Sequence, residues 1–281
     1  MLTSRQLETV YSFMQAFERN PRISYRKLFR EYCTYRSRDT VPQIITQSRI
    51  MQILLGPRLY VNANTDVEII NVEDNKKKDW KSVVSDEKVT YALLLSGGHH
   101  LLAFRRGATV LIYAEAIKPS FPAQKTLEEI SPEIEGELPR FEYPRWGDLD
   151  WEVYRLMGDP RVSFVDVGSK LGISWQTVKN HYEKILEDCR IWISFFPRGR
   201  MSYYHLFFTF STSYELGIRE ELTKLDRTSY LFKYENTLIL FVYSDSGWTT
   251  CRHFSELEKK GILRDLRVSI PVQWHRPEFK I

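Results

Sequence analysis

Ser163-Phe164-Val165-Asp166-Val167-Gly168-Ser169-Lys170-Leu171-Gly172-Ile173-Ser174-Trp175-Gln176-Thr177-Val178-Lys179-Asn180 is the stretch on which the fold turns. Ser163 can cap a helix that places Phe164, Val167 and Leu171 on one face, and Gly172 supplies the left-handed residue that ends it. Ser174 caps the next helix, in which Val178, Tyr182 and Ile185 share a face. Two short helices whose apolar faces meet across Leu171-Gly172-Ile173-Ser174 make a helix-turn-helix. The opposite face presents Gln176 and Asn180 near its centre, flanked by Thr177, Lys179 and Lys184. Asn and Gln can bond adenine bidentately, Thr can meet a thymine methyl, and Lys can meet guanine or a phosphate. A solvated polar face is the plain alternative. The glycine turn and the amphipathic partner helix favour base reading.

Upstream, Leu149, Val153 and Leu156 mark a helix that Gly158-Asp159-Pro160 stops. Downstream, residues 191–196 and 201–208 alternate about Pro197-Arg198-Gly199-Arg200, which predicts a hairpin wing laying Arg198 and Arg200 on phosphates. Beyond it come a strand over 206–210, a helix over 214–225, strands over 230–235 and 238–243, a helix over 248–260 and a strand over 263–272. That order is βαββαβ, the ferredoxin-like split unit. Its aromatic strands, with Tyr230, Phe232, Phe241 and Tyr243, call for a covering sheet from a second copy or from this chain.

The unit occurs twice. Asn20-Pro21-Arg22-Ile23-Ser24-Tyr25 matches Asp159-Pro160-Arg161-Val162-Ser163-Phe164 in kind, 139 residues apart. In the first copy a longer basic turn with Arg36 and Arg38 leads to a third helix, in which Gln43, Thr46, Gln47 and Arg49 face outward. This DNA-facing stretch suits phosphate neutralisation better than base reading, with a solvated basic face as the alternative. Strand, helix and three strands follow over 66–114, with the second helix of the split unit lost. Gly97-Gly98-His99-His100 reads as a turn with ordinary turn histidines. Five prolines and six glutamates between Lys118 and Trp146 read as a linker. The expected domains are 1–62 (divergent helix-turn-helix), 63–118 (degenerate ferredoxin-like), 119–147 (linker), 148–202 (winged helix-turn-helix) and 203–281 (ferredoxin-like), giving an α+β fold of duplicated units.

The 281 residues suit about two domains, and 43% apolar residues exclude wholesale disorder. A net charge of +4 names no partner by itself. No apolar run nears the roughly 18 residues that cross a bilayer, and Arg5, Glu8, Glu18 and Arg19 break any signal-peptide pattern. A cytoplasmic protein with no membrane partner is expected. Cys33, Cys189 and Cys251 are isolated, so neither disulfides nor a metal knuckle follow. No Ser/His/Asp grouping, phosphate loop or paired carboxylates invite a catalytic role, so neither an enzyme nor a cofactor is expected.

Asp159-Pro160-Arg161-Val162-Ser163, Leu171-Gly172-Ile173-Ser174 and Thr177-Val178, followed by βαββαβ, resemble the leucine-responsive regulator (Lrp/AsnC) family over roughly 148–273. The resemblance implies a transcriptional regulator that binds double-stranded DNA through Gln176, Thr177, Lys179 and Asn180. It also implies oligomerisation through the ferredoxin-like module, as a homodimer or an intrachain pseudo-dimer, and often a small-molecule effector. The family's Gly-x-x-Asp turn is replaced here by Tyr234-Glu235-Asn236-Thr237, which argues against amino-acid sensing. Two rivals stand beside this reading. One is a tetrapyrrole-binding enzyme similar to the siroheme decarboxylases that share this architecture, with His205 near Arg198 and Arg200. The other is a winged-helix module contacting the transcription machinery.

Overall fold

The computed structural model describes residues 2–61, 65–73, 79–107 and 110–276. The expected boundary at 62–63 and the first residues of the strand expected from Ala108 lie outside them. In chain order come α1 (Ser4–Arg19), α2 (Tyr25–Tyr32), α3 (Thr40–Ile50), β1 (Leu54–Tyr60), β2 (Thr65–Asn71), α4 (Trp80–Val84), β3 (Val89–Gly97), β4 (His99–Arg106) and β5 (Leu111–Ile117). There follow α5 (Asp148–Leu156), α6 (Phe164–Leu171), α7 (Trp175–Asp188), β6 (Arg190–Phe195), β7 (Tyr204–Ser211), α8 (Glu215–Thr223), β8 (Ser229–Tyr234), β9 (Thr237–Ser244), α9 (Gly247–Lys259) and β10 (Arg264–His275). The fold is mixed α+β with antiparallel sheets. It divides into two compact units, Met1–Val61 with Tyr143–Ser202 and Asn62–Glu142 with Tyr203–Ile281. Among the described residues no helix is long and apolar enough to cross a membrane.

In the first unit, Ser24, Ser163 and Ser174 cap α2, α6 and α7 by accepting from the amides of Lys27, Val165 and Thr177 at 3.1–3.2 Å. Gly172, at φ 68°, closes α6. Val153, Met157, Val167, Val178, Tyr182 and Ile185 form the core beneath α5, α6 and α7. The two halves of the repeat clasp each other. Arg22 stacks 3.9 Å over Phe164, and Arg161 stacks 4.7 Å over Tyr25, the residue equivalent to Phe164. Arg22 Nη1 donates to the carbonyls of Pro160 and Val162, and Arg161 Nη1 to that of Ile23.

The expected wing hairpin is not formed. β6 pairs with β1, with Leu54 opposite Phe195 and Tyr60 opposite Arg190, while β7 belongs to a different sheet. The reason is local packing. Phe195 and Phe196 are fully buried, the Arg200 amide donates to the Gln52 carbonyl, and Gly199 (φ 84°) sits where a Cβ would lie 2.4 Å from the Met51 carbonyl oxygen. The bend is a seated turn and not a free tip.

The second unit is one eight-stranded sheet in the order β2-β4-β3-β10-β7-β9-β8-β5. The run β10-β7-β9-β8 is the ferredoxin-like order of a βαββαβ unit, covered on one face by α8 and α9. Phe208 stacks on Phe254 at 4.4 Å in a core that also holds Ile218, Leu222, Leu240 and Leu257. The first copy contributes β2-β4-β3 with only the short α4, whose Val83 packs among Ile70, Val89, Ala92, Leu101 and Ala103. Its last strand, β5, crosses to pair with β8, as β10 pairs with β3. Each copy's closing strand thus completes the other's edge. The Val110 amide donates to the Thr65 carbonyl at 3.2 Å, bringing β5 and β2 together.

The stretch read as a linker is largely part of this unit. Leu127, Ile130 and Leu138 are buried in the α8/α9 core. Two buried glutamates of α8 hold it: Glu215 accepts from the Leu138 amide at 2.8 Å, and Glu221 from the Ser131 amide at 3.1 Å and from Lys125. The acidic, proline-rich composition that suggests a spacer serves here as a strap whose backbone amides α8 satisfies.

Candidate functional site

The residues expected to read DNA lie on the first unit. Gln176, Lys179, Asn180 and Lys184 are exposed on α7, and Thr177, half-buried, shares a 2.9 Å hydrogen bond with the Ser174 hydroxyl. Lys179 pairs with Glu183 at 3.5 Å, and Lys184 with the buried Asp150. Burial pushes the Asp150 carboxyl up, but hydrogen bonds from Lys184, His181 and the Gly147 amide outweigh it and hold it below the usual range. With Glu183, Glu187 and Asp188, α7 carries three carboxylates against two lysines, a poor start for phosphate neutralisation. Gln43, Thr46, Gln47 and Arg49 are exposed on α3, where Arg49 donates to the Gly56 carbonyl at 3.2 Å. Arg36 and Arg38 are exposed in the turn before α3. Arg198 is exposed in the turn after β6, and Arg200 opens the single 3-10 turn that follows.

A denser constellation lines the helix-free face of the second unit's sheet. Ring contacts run from Tyr91 to Phe104 (6.0 Å), Phe232 (5.2 Å), Phe241 (5.9 Å), Phe207 (5.0 Å) and His99 (5.1 Å). The Phe104–Phe232 contact joins a strand of the first copy to one of the second, so this face is covered within the chain. At its rim, His205 stands 4.9 Å from Tyr243 and 6.0 Å from Trp274, with Tyr230 6.2 Å from Tyr243. Trp274 and Tyr204 are well exposed. Arg276 lies 5.4 Å over Tyr91, its Nε buried without a hydrogen-bond partner.

The two histidines of this face differ in kind. His99 is fully buried: Nδ1 meets Ser269 Oγ and Nε2 meets Thr209 Oγ1, both at 2.9 Å. Burial, helped by the charge of Arg267, pushes it down to about 4, so it is a neutral pin with both nitrogens engaged. His205 is only half-buried, at the edge of exposed aromatics. Rings there suit stacking on a large flat conjugated system, an imidazole can carry a proton or ligate a metal, and a guanidinium can meet a carboxylate. Among the described residues no cluster of His, Cys, Asp and Glu could hold a metal ion by itself.

His99 does not sit in a turn as its sequence suggests; it opens β4. Gly97-Gly98 carried the signal. A Cβ on Gly97 (φ 126°) would lie 2.5 Å from the Val268 carbonyl oxygen, so the glycine pair marks the close passage of β10. Trp274 and Arg276 had no sequence signal, because only the pairing of β10 with β3 brings them to this face.

No known protein-family model matches the chain, and no curated protein does. Two solved structures are similar. One is the siroheme decarboxylase NirDL, 9% identical, with a TM-score of 0.56 over 96% of this chain and 92% of that one. The other is the same enzyme in co-complex with an iron-uroporphyrin III analogue, 9% identical, with a TM-score of 0.52 over 95% of this chain and 92% of that one. The likeness is one of fold, and it corrects the reading of the chain as a leucine-responsive transcriptional regulator. The architecture that favoured a non-enzymatic, double-stranded-DNA-binding protein is here shared, nearly end to end, with a tetrapyrrole-processing enzyme. The DNA partner and the absence of catalysis lose their support, and the exposed residues of α3 and α7 keep a place without the role assigned to them.

Proposed function

We propose that the chain binds an anionic tetrapyrrole and decarboxylates it at the His205 rim. The observation that carries the reading is the fold likeness to a siroheme decarboxylase over 96% of the chain. The rim supports it chemically. Replacing a side-chain carboxylate by hydrogen breaks one C–C bond, releases CO2 and requires one proton at the carbon left behind. His205 is the half-buried imidazole on this face, beside the exposed Trp274, whereas His99 is fully buried, so His205 is the one placed to deliver it. Trp274, exposed beside His205 and backed by the buried Tyr243, offers a flat surface to the macrocycle, and Arg276 a fork for a carboxylate. On the same reading the two three-helix clusters are divergent copies of one helix-turn-helix unit, each followed by a single strand and paired through β1 and β6.

Anaerobic incubation with siroheme, followed by absorbance and mass spectrometry, tests this. A perturbed spectrum and products lighter by whole CO2 units are expected, with His205→Ala lowering turnover by roughly a hundredfold and Arg276→Gln mainly raising KM. An unperturbed spectrum, with siroheme recovered intact, would refute the proposal.

A further inference from the structure

A pocket of about 360 Å³ in the first unit is lined by Arg22, Ser24, Tyr25, Arg26, Arg38 and Arg161. Its four guanidinium groups converge without a carboxylate ion-paired to any of them among the described residues. Arg22 and Arg161 are fixed in place by carbonyl acceptors and by the rings of Phe164 and Tyr25. Arg26 and Arg38 are exposed and make no hydrogen bond or ion pair among the described residues. Asp159, whose charge reaches Arg22, has one oxygen taken by the Arg161 amide at 2.9 Å. Like charges gathered this closely repel, which shows in Arg161 disfavouring the charged form of Arg22 beyond what burial does. Two guanidiniums are therefore held in place and two are free to close, near the start of α2.

We infer that this pocket binds a small polyanion carrying two or more phosphate or carboxylate groups, held by guanidinium forks. Its role is separate from the tetrapyrrole site, which lies in the other unit. Because Arg161 comes from the second copy of the repeat and the other lining residues from the first, the anion would tie the two copies together.

Calorimetric titration of the full chain at 150 mM salt with inorganic pyrophosphate, and separately with citrate, distinguishes the two sources. One-site saturable binding by at least one of them is expected. The Arg26→Gln/Arg38→Gln double variant should weaken it by roughly tenfold or more. Arg30→Gln, an exposed arginine of α2 outside the pocket, should leave it unchanged. The double variant changes only exposed side chains, and circular dichroism checks that it folds. Absence of saturable binding by both anions overturns the inference, as does an equal loss in Arg30→Gln. Displacement of the anion by random duplex DNA at matched phosphate concentration also overturns it, because it would make the arginines part of a diffuse basic surface.

Discussion

The two halves of the eight-stranded sheet are stabilised differently. The C-terminal half has two long helices, a core that includes Phe208 stacked on Phe254, and buried charge held by Lys233 and Glu215 at 2.8 Å, each side chain 6% exposed. The N-terminal half has the short α4, a core of aliphatic residues with two alanines, and a shallower pair, Glu68 with Arg105 at 2.7 Å, about a quarter exposed. The helix-free inner face is shared between them through Phe104 and Phe232, and β5 of the N-terminal half also lends Tyr113 and Ile117 to the C-terminal core. One copy thus supplies most of the burial that stabilises the unit, while the other contributes mainly half of a common aromatic surface. Carrying both halves in one chain permits this, because the weaker half cannot dissociate from the stronger.

The largest test of that asymmetry is Glu215→Ala. It leaves the buried Lys233 ammonium with only the exposed Glu137, at 3.3 Å, and the Leu138 amide unsatisfied, so a loss of about 3 kcal/mol is expected in denaturant unfolding. Glu68→Ala in the other half should cost less, about 1–2 kcal/mol, because the pair is about a quarter exposed and Arg105 keeps Asp86 at 3.1 Å as a second partner. Similar losses at the two sites would mean that the halves contribute equally.

A second test concerns where the halves meet. His99 of the first copy is hydrogen-bonded to Thr209 and Ser269 of the second and is held near a pKa of about 4, against an ordinary value near 6.5. The folded state disfavours the proton, so the unfolded chain binds more protons between these values and stability rises with pH there. The contribution is fully present above pH 6.5 and is lost as pH falls toward 4. Between pH 7 and pH 4.5 the wild type should lose about 2–3 kcal/mol that His99→Leu does not lose, whatever its own baseline. Parallel pH profiles for the two proteins would remove His99 from the account.

How much of this the sequence announces depends on the range of the interaction. Local capping is legible: Ser163, Gly172 and Ser174 place α6 and α7 because each acts within three residues of itself. The βαββαβ order is legible for the same reason, since turns and periodicities are local. Strand exchange is not. Nothing near Arg190–Phe195 shows that its partner is Leu54–Tyr60 and not the strand that follows it. The rim suffers most, because the β7–β9 pairing sets His205 beside Tyr243 and only the pairings of β10 with β7 and β3 bring Trp274 and Arg276 to the same face. The regulator reading failed at that step. It took function from a helix pair that is visible locally, while the denser chemistry is assembled by long-range pairing.

The smallest expected effect probes whether the helix clusters repeat the inequality seen in the sheet. Arg22 reaches two carbonyls and stacks 3.9 Å over Phe164, whereas Arg161 reaches one carbonyl at 3.3 Å and stacks 4.7 Å over Tyr25. Hydrogen bonds from a charged donor and a close cation–π contact both weaken with distance, so Arg22→Ala should cost about 2 kcal/mol and Arg161→Ala about 1 kcal/mol. The direction matters more than the size. Arg22 follows α1 but rests on Phe164 of α6, so a larger loss there means that the C-terminal helix cluster again supports the N-terminal one. A larger loss at Arg161 would reverse that dependence in the first unit, and the two units would then be unequal in opposite directions.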